Sequence, residues 1–155
     1  MHRNAPPSIP APPPDLGNIL EFMRVLWAVD HGLQSSSKRM KNRIGITGPQ
    51  RLVVRMIGRF PGSSASELSE TLHLHPSTLT GIFRRLCDRG VIARTADPRD
   101  GRRAQFVLTA AGKAIDRKSS GTVEAAVRLV LAKAPAHQIT AATSLLRRLA
   151  LELGQ

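Results

Sequence analysis

A chain of 155 residues is long enough for one domain around one core, and its 41% hydrophobic content is ordinary for a globular protein. Twenty-three lysines and arginines against eleven acids leave a formal net charge of +12, which favours an anionic partner such as nucleic acid and says nothing about fold. No apolar run reaches the roughly 20 residues of a membrane span, the N-terminus lacks a signal-peptide core, and the lone Cys87 can form no internal disulfide, so a soluble cytoplasmic protein without membrane partners is expected.

Met1 to Pro14 holds six prolines and little to bury. It reads as a disordered arm, with a proline-rich docking motif as the competing reading. Asp15 is placed to cap a long first helix over about Leu16 to Met40, whose Leu16, Ile19, Leu20, Met23, Leu26, Trp27 and Leu33 recur at helical spacing. From His31 to Ser66 there is no acid, while Lys38, Arg39, Lys41, Arg43, Arg51, Arg55 and Arg59 are all present. A second basic concentration runs from Arg84 to Arg103. Either could be a solvated basic surface, but two such clusters flanking a compact helical region favour a phosphate-facing one.

"GITGPQRLVVRMIGRF" predicts a second helix, capped by Thr47, with Pro49 in its first turn and Gly62 after its end. Ser64 and Glu67 have capping-box spacing and open a short third helix. A fourth lies in "HPSTLTGIFRRLCDRG", with Pro76 in its first turn and Gly90 as its stop. Only a few residues around Leu74 and His75 join these two helices, which suggests a helix-turn-helix. "VIART" and "RAQFVLT" then read as strands, with Asp100-Gly101 as hairpin chemistry between them. A hairpin after a helix-turn-helix is the layout of a winged helix. Thr109 caps an expected fifth helix running to about Ala134, and a sixth is expected over about Ala136 to Leu153. One winged-helix core cannot bury the first, fifth and sixth helices together, so their apolar stripes imply a partner surface, most simply a second copy of the chain.

On the fourth helix, Leu79, Ile82, Phe83 and Leu86 make one apolar stripe, and Pro76, Ser77, Thr80, Gly81 and Arg84 fall opposite. Small hydroxylated residues followed one turn later by a cation suit a helix entering a major groove, where arginine pairs with guanine. Packing against another helix is the competing reading. Gly81 sharpens the first, because glycine inside a helix costs about 1 kcal/mol relative to alanine. His75 stands at an N-cap position, where histidine is a poor choice, and is either a plain turn residue or a phosphate contact. His73 and His75 lack the further ligands a metal needs, so no metal is expected. Cys87 reads as a core residue rather than a redox sensor. No nucleophile elbow, paired carboxylates or glycine-rich phosphate loop appears, so neither an enzyme nor a cofactor is expected. With five aromatic residues and no tyrosine, a stacking platform for single strands is disfavoured.

The ordered set "STLTGIFRRLCDRGVI", Asp100-x-Arg102 and "LTAAG", within Gly45 to Gly112, resembles the MarR family of bacterial transcription regulators. The flanking helices match it in length and pattern only. The resemblance implies a mainly α protein with a small β-hairpin wing: a winged helix-turn-helix with six helices, forming an intertwined homodimer. Residues 15–44 and 110–155 would be its dimerisation helices and residues 45–109 its DNA-binding lobe. It further implies sequence-specific binding of a pseudo-palindromic duplex, with each recognition helix in a major groove and each wing in the adjacent minor groove. The recognition-helix set becomes His75, Pro76, Ser77, Thr78, Thr80, Gly81, Arg84 and Arg85. The wing set becomes Arg94, Arg99, Asp100, Arg102 and Arg103, with Asp100 orienting an Arg102 aimed into the groove and Arg99 and Arg103 on phosphates or in solvent. Lys38, Arg39, Lys41, Arg43, Arg51 and Ser64 are expected to hold phosphates. His75 and Gly81 depart from the family pattern, which bears on base readout rather than on the mode of binding.

Many family members release DNA when a small aromatic or lipophilic effector binds between the dimer helices and the DNA-binding lobe. Trp27, His31 and Phe60 are candidates to line such a crevice, although core packing is the favoured role for Trp27 and Phe60. The expectation is therefore a homodimeric, ligand-responsive repressor on double-stranded operator DNA. A winged-helix module docking on an acidic protein is the alternative, and structured RNA is disfavoured by its narrow major groove.

Overall fold

The computed structural model describes residues 16–98, 100 and 103–154. The Pro-rich arm, the Asp15 cap, Arg99 and Arg102 lie outside the described residues. The chain divides into two compact units, one ending at Gly32 and one beginning at Leu33.

Helix α1, Gly17–Ile44, runs four residues beyond the expected Met40. Nothing in "KNRI" breaks a helix, and the stop comes at Gly45, whose φ of +90° suits glycine. Within the first unit, Ile19, Leu20, Phe22, Val25, Trp27 and Val29 are all exposed.

In the second unit, α2 (Gly48–Arg59) opens with a complete capping box, Thr47 with Gln50, and buries Val53, Val54 and Ile57. A two-residue strand β1, Ser63–Ser64, precedes α3 (Ala65–Leu72), whose capping box joins Ser64 and Glu67. The chain leaves α3 through His73, in left-handed conformation at φ 50°, and enters α4 (Pro76–Asp88). Strands β2 (Ile92–Ala96) and β3 (Ala104–Leu108) pair antiparallel, with Arg94 opposite Phe106. The β1 strand adds to the far side of β3, giving the order β1-β3-β2. The wing loop is closed by the Asp97 N–H to the Arg103 carbonyl and tightened by the Arg103 N–H to the Asp100 carbonyl. Seven residues, 97–103, separate the paired strands, and Gly101 of the expected Asp100-Gly101 turn lies outside the described residues.

The core gathers Ile46, Val53, Val54, Ile57, Leu68, Leu79, Ile82, Phe83, Leu86, Val91, Ile92 and Phe106. Phe83 of α4 stacks on Phe106 of β3 with ring centroids 4.0 Å apart, so the helix-turn-helix and the wing share one apolar seam. Thr109 caps α5 (Ala110–Arg117), accepting from the Gly112 N–H while its own hydroxyl donates to the Gly90 and Val91 carbonyls. Gly112 lets α5 lie against the backbone at Val91, just before β2, because a Cβ there would sit 2.0 Å from the Val91 carbonyl oxygen.

The single fifth helix expected from Thr109 to Ala134 is two: α5 and α6 (Val123–Leu131). Lys118 turns extended, Gly121 takes φ +69°, and the Thr122 hydroxyl donates to the Ser119 carbonyl. The carbonyls of Ile115, Asp116 and Lys118, which a continuing helix would have used, are taken by the Arg51 guanidinium. With α7 (Ala136–Glu152) the described residues hold seven helices. Neither α6 nor α7 buries a side chain completely, and Val127, Leu129, Val130, Leu131, Leu145, Leu146, Leu151 and Leu153 stand exposed.

Candidate nucleic-acid interface

Helix α4 divides as its periodicity predicts. Leu79, Ile82, Phe83 and Leu86 are buried, while Pro76, Ser77, Thr78, Thr80, Arg84 and Arg85 are exposed. Among the described residues nothing packs on that outer face at Gly81, where an added Cβ would meet no atom within 4 Å. No internal contact therefore asks for glycine there. Arg84 and Arg85 make no ion pair among the described residues, which leaves both guanidinium forks available.

At the start of α4, His75 acts as N-cap through Nδ1, which accepts from the Ser77 N–H at 3.3 Å and lies 2.8 Å from the Ser77 hydroxyl. An imidazole nitrogen thus performs the task that a carboxylate or hydroxyl performs at most caps, and the capped end carries no negative side chain. Thr80 donates to the Pro76 carbonyl at 2.8 Å, which fixes its hydroxyl and leaves the oxygen lone pairs outward. A groove of about 320 Å³ lies between α3 and α4, with Leu79 and Phe83 among its apolar lining.

The wing positions Arg94, Asp100 and Arg103 at the exposed surface. Lys38, Arg39, Lys41 and Arg43 are exposed along the second half of α1. Arg39 donates to Ser36, and the Arg43 guanidinium lies over Gly121.

Two expected phosphate contacts are otherwise engaged. Arg51 is 2% exposed and bonded to three carbonyls and to Glu124, so it is a buried structural cation, not a surface one. Basic residues on an amphipathic helix are usually outward, but this one falls on the buried side of α2 and finds a carboxylate 73 residues away. Ser64 spends its hydroxyl within its capping box, donating to Glu67 and accepting from the Glu67 N–H. Hydrogen bonds from the Ser64 backbone and hydroxyl hold the Glu67 carboxyl below its usual range, against a burial penalty, so an anion already occupies that helix end.

Core packing of Trp27 and Phe60 is also overturned within the single chain: they are 60% and 52% exposed. Trp27 and His31 belong to the first unit and Phe60 to the second. Cys87 packs against the core, and burial followed by the charge of Asp88 raises its thiol pKa, which works against thiolate chemistry. Residues that pattern reading missed are Arg89, whose guanidinium donates to the Gly45 carbonyl, and Glu124. Glu124 had one signal, as the lone acid between Asp116 and Glu152. Among the described residues no helix is long and apolar enough to cross a membrane, and no group of three metal-ligating side chains forms.

Comparison with known proteins places this geometry. The family model described as MarR family matches residues 44–103. The HTH-type transcriptional repressor Rv2887 of Mycobacterium tuberculosis is 32% identical over 114 residues, spanning 74% of this chain and 82% of that protein. The crystal structure of the PcaV transcriptional regulator from Streptomyces coelicolor, in complex with its natural ligand, superposes with a TM-score of 0.64 at 25% identity, over 90% of this chain and 96% of that one. A mutant MarR from E. coli complexed with operator DNA has the same fold, with a TM-score of 0.66 at 21% identity over 84% of this chain and 94% of that one.

Proposed function

The chain belongs to the MarR family of transcription regulators, and on that premise we propose that it is a homodimeric repressor of a pseudo-palindromic operator, released by a small aromatic or lipophilic effector. The observation that carries the DNA-binding part is the outer face of α4. It is exposed, small at its N-terminal end and cationic one turn later, and it is fixed from behind by a buried stripe and the Phe83–Phe106 stack. A rigid helix with an uncovered face of that composition fits a major groove. Ser77, Thr80 and Arg84 are assigned to base edges, His75, Lys38, Arg39, Lys41 and Arg43 to phosphates, and Arg102 to the minor groove, where a narrow channel concentrates negative potential.

The exposed apolar residues of α1, α6 and α7 support the homodimer, because water tolerates such surfaces poorly and a second copy would cover them. Effector release is supported by the ligand held in the PcaV structure, and here by the exposed rings of Trp27 and Phe60.

Titration of duplexes selected from a random-sequence pool tests this reading. Neutralising about 6–10 phosphates makes affinity fall by roughly 10³–10⁵ between 50 and 200 mM salt. Arg84→Ala should cost about 1–3 kcal/mol and relax discrimination at one base position. A salt-independent affinity, or enrichment of an acidic protein partner with no duplex selected, would defeat it.

A further inference from the structure

The root of the α6–α7 arm is held to α2 by one buried cation. Arg51 Nε donates to Glu124 Oε1 at 2.7 Å, and Nη2 lies 2.6 Å from the same oxygen. Nη1 donates to the Ile115 carbonyl, and Nη2 to those of Asp116 and Lys118 at 3.1 and 2.6 Å. One guanidinium thereby closes the C-terminal end of α5 and grips the first turn of α6. Its charge opposes the negative pole of α5, and Glu124 sits at the positive pole of α6.

Among the described residues of the single chain, α6 and α7 bury no side chain completely, and beside the knot the Arg43 guanidinium lies over Gly121 at the turn into α6. Val123 lies beside Gly48 at the α2 N-terminus, and Thr122 is buried at the turn. Arg55 pairs with Asp116 at 2.8 Å but is 45% exposed, so that tie is weak. Within the single chain, the arm's attachment to α2 therefore depends on the Arg51–Glu124 knot more than on side-chain burial.

We infer that Arg51 and Glu124 are positioning residues that hold the α6–α7 arm at a fixed angle to the DNA-binding lobe, and so set the half-site spacing that a dimer accepts. This rests on the homodimeric, operator-binding reading above. A duplex rotates by about 34° per base pair, so a change of spacing turns one recognition helix away from its groove unless the arm can swing. A stiff knot gives a narrow spacing preference, and a loosened one gives a broad preference at unchanged half-site contacts.

The test uses full-length protein and a palindromic duplex selected by the wild type from a random-sequence pool. Half-site spacing is then varied by one to three base pairs. The wild type should lose affinity on the order of 10²-fold at three base pairs from the optimum, because the two sites can no longer be engaged together. Glu124→Gln keeps the shape and an acceptor, and Arg51→Lys keeps the charge without the fork. Each should flatten that loss to less than about tenfold, with dimerisation retained and affinity for an isolated half-site unchanged within about twofold. A spacing profile as steep as the wild type's in a folded, dimeric Glu124→Gln variant overturns the inference, whether or not Arg51→Lys folds. A wild type that selects no palindrome, or stays monomeric, overturns the underlying reading as well, and does so before any variant is made.

Discussion

Two glycines on neighbouring helices carry opposite demands. A methyl group on Gly112 would collide with the Val91 carbonyl oxygen at 2.0 Å, whereas one on Gly81 would meet nothing within 4 Å. Gly112→Ala is therefore expected to destabilise the fold by about 1–3 kcal/mol or more, since backbone rather than a flexible side chain must yield. Gly81→Ala should stabilise it by up to about 1 kcal/mol, by removing glycine's entropy cost from a helix interior. If the outer face of α4 enters a groove, the same Gly81→Ala protein binds DNA more weakly while unfolding at higher urea. Wild-type or better affinity in that variant would remove the reason for a glycine there. Gly81 stood out in the sequence because a glycine inside a helix is anomalous on its face. Gly112 was visible only as a letter of "LTAAG", because its constraint comes from Val91, a residue of another segment.

Local chemistry made the elements legible wherever partners lie within three or four residues. The caps at Thr47, Ser64 and Thr109 are all formed by the residues that spacing assigned to them. Where the partner is distant, pattern reading failed. The break between α5 and α6 depends on Arg51, and β1 is too short for any periodicity and exists by pairing with β3. The break also has a pH signature. Burial alone would raise the Glu124 carboxyl above its ordinary 4.5, but hydrogen bonds and charge from Arg51, with help from the backbone and Thr122, lower it instead. A depressed folded-state value means that the unfolded chain binds the proton first. The stabilisation is therefore complete above about pH 4.5 and lost as pH falls through the lower folded-state value. Glu124→Gln should cost on the order of 1 kcal/mol near neutrality, a gap that closes in paired thermal melts as pH falls through the lowered folded-state value. A gap that widens on acidification would contradict the pairing.

At the scale of the whole molecule, charge and surplus hydrophobicity are legible in the sequence, because both are sums over residues. Among the described residues every lysine and arginine but Arg51 is exposed, and the surplus is visible as leucines and valines facing outward on α6 and α7. The role given to the wing tip rests on family likeness alone, and Arg99, Gly101 and Arg102 lie outside the described residues. Its Arg102 assignment is tested by Arg102→Ala, which should weaken operator binding without lowering the melting temperature.

The first unit also has an optical consequence. Trp27 is the only tryptophan, there is no tyrosine to mask it, and it stands 60% exposed on a helix assigned to dimerisation. Excited at its red edge, the protein has a single emitter, and on the homodimeric reading proposed above a second copy would shield it from water. Dilution through the dissociation range should shift its emission to the red, so that the chain reports its own assembly without any attached dye.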